Sequence, residues 1–446
     1  MTHPEDFAGL RPGPRQGAAA PWTRDFRKTL QSNVLRRWGC KGVTTLPEGF
    51  GEAEPPQQSA TNEACMQGLH EIITPQDRRE AASLLATAGL SLPGDAGFGL
   101  GLYEDGVLQA AGFLAGNLLC GLAVLPARRG EGLAATIAGG LMEHGRASGV
   151  THFVLITKAD EADKFAGVGF AEVARSERAA FLEFGRPGYG DWMRAAKARL
   201  ERGALETRHA SRAAGESQSA SSPLSMPGTD HVHSEDAPAA TGGALAAVVM
   251  NANPFTRGHR SLAEAALAGA GRVVVFVVEE EASVFPFAAR LELVRKGLAD
   301  LRAATVLPGG PYMVSRASFP SYFTGERDHA AVHAALDAAL FATRIAPDLG
   351  ISSRYVGAEP LCAVTAAYNE ALLAALPRHG IACVEVERLA CEGGPVSASR
   401  VRALLAAGTP DWRAVAALVP ETTLSYLQSP AAAPSLARLA TRGGRH

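Results

Sequence analysis

The chain has 446 residues, 47% hydrophobic and 20% charged, enough apolar side chain for two or three domains and too much for a mostly disordered polymer. Forty-three basic residues against 45 acidic ones leave a net charge of −2, which argues against a dedicated nucleic-acid binder with its basic excess. No run approaches ~18 uninterrupted apolar residues. The opening MTHPEDFAGLRPGPRQGAAAPW lacks a signal-peptide apolar core. A cytoplasmic protein is therefore expected, without membrane or nucleic-acid partners. Cys40, Cys65, Cys120, Cys362, Cys383 and Cys391 form no CxxC and suit reduced, structural thiols.

In chain order, residues 1–66 carry Pro, Gly, Gln and charge with little periodicity and are expected to be a disordered extension. A first globular block follows over 67–202. Three apolar runs, FGLGLY, LQAAGFLAG and LLCGLAVL, are separated by Asp105-Gly106 and Gly116-Asn117, which predicts an antiparallel meander. A Gly-containing turn, Arg129-Gly130-Glu131-Gly132-Leu133-Ala134, then leads into a helical pattern over roughly 133–147, and HFVLIT is a buried strand. A strand, a glycine turn and a helix start together offer backbone N–H groups and a positive dipole end to a pyrophosphate.

Residues 203–243 are rich in Ser, Ala, Pro and Gly and read as a flexible linker. Within it His231 and His233 lack partner ligands at metal-site spacing, so no metal site is expected there. A second block spans 244–428, and 429–446 is expected to be a tail. In this block ALAAVVM and RVVVFVV are continuous apolar runs around a helical stretch, the pattern of a βαβ unit in a parallel sheet covered on both faces. Ligands of such sheets bind beyond the carboxyl ends of the strands, where Asn251-Ala252-Asn253-Pro254-Phe255-Thr256-Arg257-Gly258-His259 stands. Gly258 would allow close backbone approach to a phosphate. His259 and Thr256 would donate to its oxygens. Near the block's end Val396-Ser397-Ala398-Ser399-Arg400-Val401-Arg402 runs into a helix, with serines to cap it and Arg402 aimed at phosphates.

The first block resembles the GNAT acetyltransferase superfamily through Arg129, Gly132 and Ala134, with Val168-Gly169-Phe170 as its later GF turn. Thr256-Arg257-Gly258-His259 and VSASRVR resemble the (H/T)xGH and ISSTxxR motifs of the nucleotidyltransferase superfamily. The order of MNANPFTRGH, FPFAARLELVRKG, PYMVSRASFPSYF, SRYVGAEP with TAAYNEAL, and VSASRVRALL, after a GNAT-like block, resembles the citrate (pro-3S)-lyase ligase family. The fold expected is α/β: a GNAT-like domain with a mixed sheet, then a Rossmann-like domain with a parallel sheet, joined by the linker.

The resemblance implies a ligase that activates acetate with ATP, Mg²⁺ accompanying the nucleotide and no dedicated metal site. It implies acetyl-adenylate, transfer to the thiol of the CoA-like prosthetic group on the acyl-carrier subunit of citrate lyase, and release of AMP. On this reading His259, Thr256 and Arg402 are catalytic. Asn253, Pro254, Phe255, Gly258, Gly357, Glu359, Ser397 and Ser399 bind ATP. Arg129, Gly130, Gly132 and Ala134 are placed to hold the CoA-like arm. Thr365, Tyr368 and Asn369 shape the adenine or acetate pocket, Tyr368 reading equally as core. Substrate contact by Arg316, Ser318 and Tyr322 is a further expectation. The basic cluster Arg24, Arg27, Lys28, Arg36, Arg37 and Lys41 reads as a solvated segment or a contact for an acidic carrier. The rival classes are a small-molecule nucleotidyltransferase, a non-catalytic carrier-binding module and an acetyl-CoA-dependent acetyltransferase.

Overall fold

A computed structural model describes residues 68–92, 97–218, 243–279, 283–313, 326–359, 363–392, 394–407 and 409–442, all within one compact unit from Ser59 to His446. The expectations for residues 1–66, His231, His233, Arg316, Ser318, Tyr322 and Cys362 fall outside the described residues.

The first block opens with β1 (Gly68–Glu71) and α1 (Pro75–Thr87). Thr74 and Asp77 form a reciprocal capping box, hydroxyl accepting from one backbone N–H and carboxylate from the other. The predicted meander follows as β2 (Phe98–Glu104), β3 (Val107–Ala115) and β4 (Leu118–Val124). Asp105 and Gly106 both take positive φ, 51° and 75°, the backbone that a two-residue hairpin between right-twisted strands requires. Then come α2 (Leu133–Ala147), β5 (His152–Lys158), β6 (Ala171–Arg175) and β7 (Ala179–Gly185). The seven strands form a mixed sheet ordered β1-β2-β3-β4-β5-β7-β6, antiparallel except at β4–β5. That parallel pairing is confined to Leu118↔Val154 and Leu119↔Leu155, so the carboxyl halves of the two strands are not paired with each other. Ile137 and Leu141 of α2 reach the sheet over Gly112, where an added Cβ would lie 2.6 Å from Ile137.

α3 (Tyr189–Gln218) continues into the stretch expected to be linker, through residues 203–218. Its Ala, Glu and Arg content is poor in core-forming residues yet strong in helix propensity, so local preference sustains the helix. Gly203 lies against the Thr305 side chain.

The second block contains β8 (Leu245–Met250), α4 (Arg257–Ala270), β9 (Arg272–Val277), α5 (Phe287–Gly297), β10 (Ala304–Pro308), α6 (Glu326–Leu340), β11 (Ile351–Gly357), α7 (Ala363–Ala375) and β12 (Ala382–Val386). All five strands are parallel, in the order β10-β9-β8-β11-β12. The order reverses between β8 and β11, which puts the topological switch point at the loops leaving those two strands. A short hairpin, β13 (Ala390–Cys391) and β14 (Gly394–Pro395), precedes α8 (Ala398–Ala406), α9 (Trp412–Leu418), α10 (Glu421–Leu427) and α11 (Ala433–Arg442).

The expected tail is thus largely helix. Leu439 of α11 is buried in a cluster with Val401, Leu405 and Leu418. The apolar pair Leu436 and Leu439, three residues apart on one face, gives this short segment a core-facing side.

The blocks are not loosely tethered. Tyr189 and Trp192 of α3 pack against Tyr312, ring centroids 5.2 and 5.1 Å away. Tyr312 donates to the Glu183 carboxylate at 2.6 Å, Trp192 Nε1 to Pro308 O at 3.2 Å, and Tyr189 to Asp348 at 2.9 Å. One buried cluster runs from Phe113 and Phe181 to Val274 and Leu336 across both blocks.

Candidate active site at the switch point

A cavity of about 470 Å³ lies at the carboxyl ends of the parallel strands. Its walls come from the β8–α4 loop, the ends of β11 and β12, α6 and α7, and the start of α8. Of the residues expected to bind nucleotide, Thr256, Gly258, His259, Gly357, Glu359, Ser397 and Ser399 all line it.

Thr256 is the N-cap of α4 and is 1% exposed. Its N–H donates to His259 Nδ1 at 3.0 Å, and its hydroxyl lies 2.8 Å from the same nitrogen while accepting the His259 backbone N–H at 3.3 Å. The threonine, itself on the cavity wall, caps the helix and fixes the imidazole. With Nδ1 accepting, the network assigns the ring proton to Nε2. Burial, then the charges of Arg388 and Arg402, lower the His259 pKa to about 4. The ring is therefore neutral at physiological pH, with one N–H left to donate. It stands at a helix N-terminus, where unpaired N–H groups and the dipole favour an anion.

Gly258 lines the cavity and also has a packing reason to be glycine. A Cβ there would lie 2.9 Å from Val396 O. The absent side chain lets α4 and the segment entering α8 meet, bringing the two motifs together. Ser397 caps α8, accepting from the Arg400 N–H at 3.1 Å. Arg400 is bound to the hairpin, donating to Glu392 O and Gly394 O.

Four residues expected to contact the nucleotide do not line this cavity. Asn253, Pro254 and Phe255 are buried, and none of them lines the cavity. Phe255, fully buried, is pressed against Gly297, and Asn253 Oδ1 accepts from the Phe285 N–H at 3.1 Å. Arg402 does not line the cavity either. It donates to Asn253 O at 2.6 Å and to Ser399 Oγ at 3.0 Å, stitching α8 to the first loop. The strand-end loop carries apolar and amide residues that local reading assigns to ligand, whereas the fold needs them as its floor.

Several site residues went unread in the sequence. Arg290 is wholly buried and donates to the carbonyls of Asn251, Val278 and Phe285, gathering the ends of β8 and β9. Below the cavity, Arg354 Nη1 and the Tyr368 hydroxyl both donate to Asp337, at 2.8 and 2.5 Å. His333 stands beside Tyr368, ring centroids 5.2 Å apart. Burial, reinforced by the Asp337 charge, raises the Tyr368 pKa well beyond the ordinary phenol range. Tyr368 is thus both cavity wall and core. Asn369 Nδ2 donates to Gly357 O at 2.8 Å, and Arg388 pairs with Glu359. Arginines inside apolar runs were the visible signal; their carboxylate and carbonyl partners lie far along the chain.

In the first block Gly130 and Gly132 adopt φ of 89° and 81°, with nothing within 4 Å of an added Cβ. Backbone conformation, rather than space, calls for glycine there. Arg129 and Gly130 are exposed, and Ala134 is half-buried in the first turn of α2. The neighbouring Arg128 is committed to Glu104 and Glu131. The described cysteines, Cys120, Cys383 and Cys391, are not joined in disulfides. Among the described residues no cluster of three or more His, Cys, Asp or Glu is suited to a metal. No described helix is long and apolar enough to cross a membrane.

Comparison with known proteins bears on both blocks. Residues 245–427 match the citrate lyase ligase C-terminal domain family. The citrate (pro-3S)-lyase ligase of Klebsiella pneumoniae is 35% identical over 364 residues, covering 80% of this chain and 94% of that protein. Its counterpart from Escherichia coli K12 is 36% identical over 334 residues, covering 73% and 83%. Among solved structures, a GCN5-related N-acetyltransferase from Rhodopseudomonas palustris is similar at 16% identity and a TM-score of 0.21, over 27% of this chain and 96% of its own. The chain belongs to the citrate (pro-3S)-lyase ligase family and is an enzyme of that family.

Proposed function

We propose that the chain activates citrate lyase by ATP-dependent acetylation of the thiol on the prosthetic group of the lyase's acyl-carrier subunit. A carboxylate oxygen of acetate attacks the α-phosphorus of ATP, and the bond to the β-phosphate breaks. Pyrophosphate leaves with the electron pair, giving acetyl-adenylate. The carrier thiol, losing its proton, then attacks the acetyl carbonyl and AMP departs. The observation that carries this reading is His259, its Nδ1 held by Thr256 and its Nε2–H left as donor, at a helix N-terminus on the switch point. Such a group stabilises charge developing on phosphate oxygens without giving up its proton. Ser397, Ser399 and the α8 N-terminus stand across the cavity for the triphosphate. Mg²⁺ enters as part of the nucleotide substrate.

The glycine turn at 129–134 is the proposed seat of the carrier's CoA-like arm, Arg129 offering a cation to its phosphates. Substitution at Gly130 or Gly132 would strain the backbone whatever the ligand, so Arg129 is the cleaner probe. Arg129→Glu is expected to raise KM for the holo-carrier while leaving acetyl-adenylate formation unchanged; losses in both steps would sink the assignment.

The test of the whole reading is a single-turnover reaction of the chain with ATP, acetate and holo-carrier. Free AMP and an acetylated carrier thiol are expected. AMP retained covalently in a product with a phosphorylated acceptor would instead make this a small-molecule nucleotidyltransferase. Binding of carrier without ATP turnover would make it a docking module. Carrier acetylation by acetyl-CoA without ATP would make the first block a stand-alone acetyltransferase.

A further inference from the structure

The cation nearest in consequence to His259 is Arg388, a residue to which the motifs assign nothing. It stands just beyond β12, whose last residue Val386 pairs with Gly357 of β11. Its Nε donates to Ala358 O at 2.5 Å, and its Nη2 pairs with the Glu359 carboxylate. Both partners follow β11, so the guanidinium bridges the carboxyl ends of adjacent strands at the switch point. Nη1 has no protein partner among the described residues. The side chain keeps 25% exposure and lines the same cavity as His259 and Ser399. Its charge lowers the His259 pKa more than that of Arg402 does, which places it within electrostatic reach of the ring.

A plain strand clamp would use Nε and Nη2 and end there. The planar fork does more: it fixes the guanidinium plane through two bonds and leaves a charged donor on a cavity wall. Arg402, by contrast, has Nη1 on Asn253 O and Nη2 on Ser399.

We propose that Arg388 is a further catalytic residue, donating through Nη1 to a non-bridging oxygen of the nucleotide's phosphate chain as pyrophosphate departs, with Glu359 as its positioning residue. This deepens the ATP-dependent reading and rests on it. Arg388 keeps its proton throughout; the bond formed is acetate oxygen to α-phosphorus and the bond broken joins α-phosphorus to the bridging oxygen. Glu359, expected to touch the nucleotide, acts instead through the arginine.

The experiment uses the full chain with two probes, adenosine and α,β-methylene-ATP, which cannot release pyrophosphate, beside acetate-dependent pyrophosphate release from ATP. Arg388→Ala is expected to weaken α,β-methylene-ATP binding by about 10–100-fold, the range of a charged hydrogen bond. Adenosine binding should be little changed, and kcat for pyrophosphate release should fall by about 10²–10³. Arg388→Lys should recover part of both losses, and Glu359→Gln should show a smaller fall in kcat. Unchanged α,β-methylene-ATP binding and kcat in Arg388→Ala would overturn the proposal. Equal loss of adenosine and α,β-methylene-ATP binding would also overturn it, marking a strand clamp. If the unaltered chain releases no pyrophosphate with acetate while Arg388→Ala still loses only the phosphate-bearing probe, the phosphate contact stands and the ligase reading fails.

Discussion

His259 acquires its chemistry from Thr256, which supplies two groups to Nδ1 and so leaves the proton on Nε2. Thr256→Val keeps the backbone bond but loses the hydroxyl, and is expected to lower kcat while Thr256→Ser stays close to the parent. His259→Ala should cost about 10²–10³ in the rate of adenylation, the usual weight of one transition-state donor. The lowered pKa also has a stability consequence. Between about pH 4 and 6.5 an unfolded chain protonates this ring and the folded one does not. Stability attributable to His259 is therefore complete above that window and declines as pH falls through it. His259→Gln should flatten that part of the stability-against-pH curve. Gly258→Ala meets Val396 O at 2.9 Å and is expected to destabilise by about 1–3 kcal/mol, read from denaturant melts. At this scale His259 and Ser397 were legible because their tasks are local, whereas the packing of Gly258 on Val396, far along the chain, was not. The orienting role of Thr256 was not, since a hydroxyl three residues from a histidine reads as readily as a ligand donor.

Elements hold the site by long-range bonds that no spacing reveals. Arg290, within the FPFAARLEL run, satisfies the Phe285 carbonyl of its own run and those of Asn251 and Val278 from two other segments, and Arg402 joins α8 to the first loop. Removing Arg290 leaves buried carbonyl oxygens unpaired, so Arg290→Met should unfold the chain at clearly lower denaturant, the midpoint falling and m unchanged. The sequence announced the βαβ alternation and both motif-bearing helices because apolar runs and caps are local signals. It misjudged the segment after Ser429 because short amphipathic helices look like tails until their partners are known. Truncation there would expose Val401, Leu405 and Leu418, and is expected to lower Tm and to weaken nucleotide binding through α8. A truncated chain that melts like the parent would show that α11 contributes nothing to the site.

At the scale of the molecule, two sheets share one core. Burial opposes the Glu183 carboxylate, yet hydrogen bonds from His152, Tyr312 and the Tyr189 N–H outweigh it and hold its pKa below the ordinary carboxylate value. The stability it contributes is present at neutral pH and is lost as pH falls through the acid range. Tyr312→Phe removes one charged hydrogen bond at the junction and should cost about 1.5–3 kcal/mol. Cutting the chain between Gln218 and Gly243 should leave two fragments that co-elute on size exclusion, because Trp192 and Tyr312 face each other across the break. Fragments that separate freely would contradict the shared core. Composition and motif order disclosed two blocks and their family, but the junction depends on pairs such as Glu183 and Tyr312, which nothing local connects. The most direct measurement is pyrophosphate release from ATP by the purified chain, with and without acetate and without carrier, in the parent and in His259→Ala. Release that requires acetate and collapses in the variant is the expected result. Release indifferent to acetate, or undiminished without the imidazole, would contradict the assignment of His259 to acetate activation.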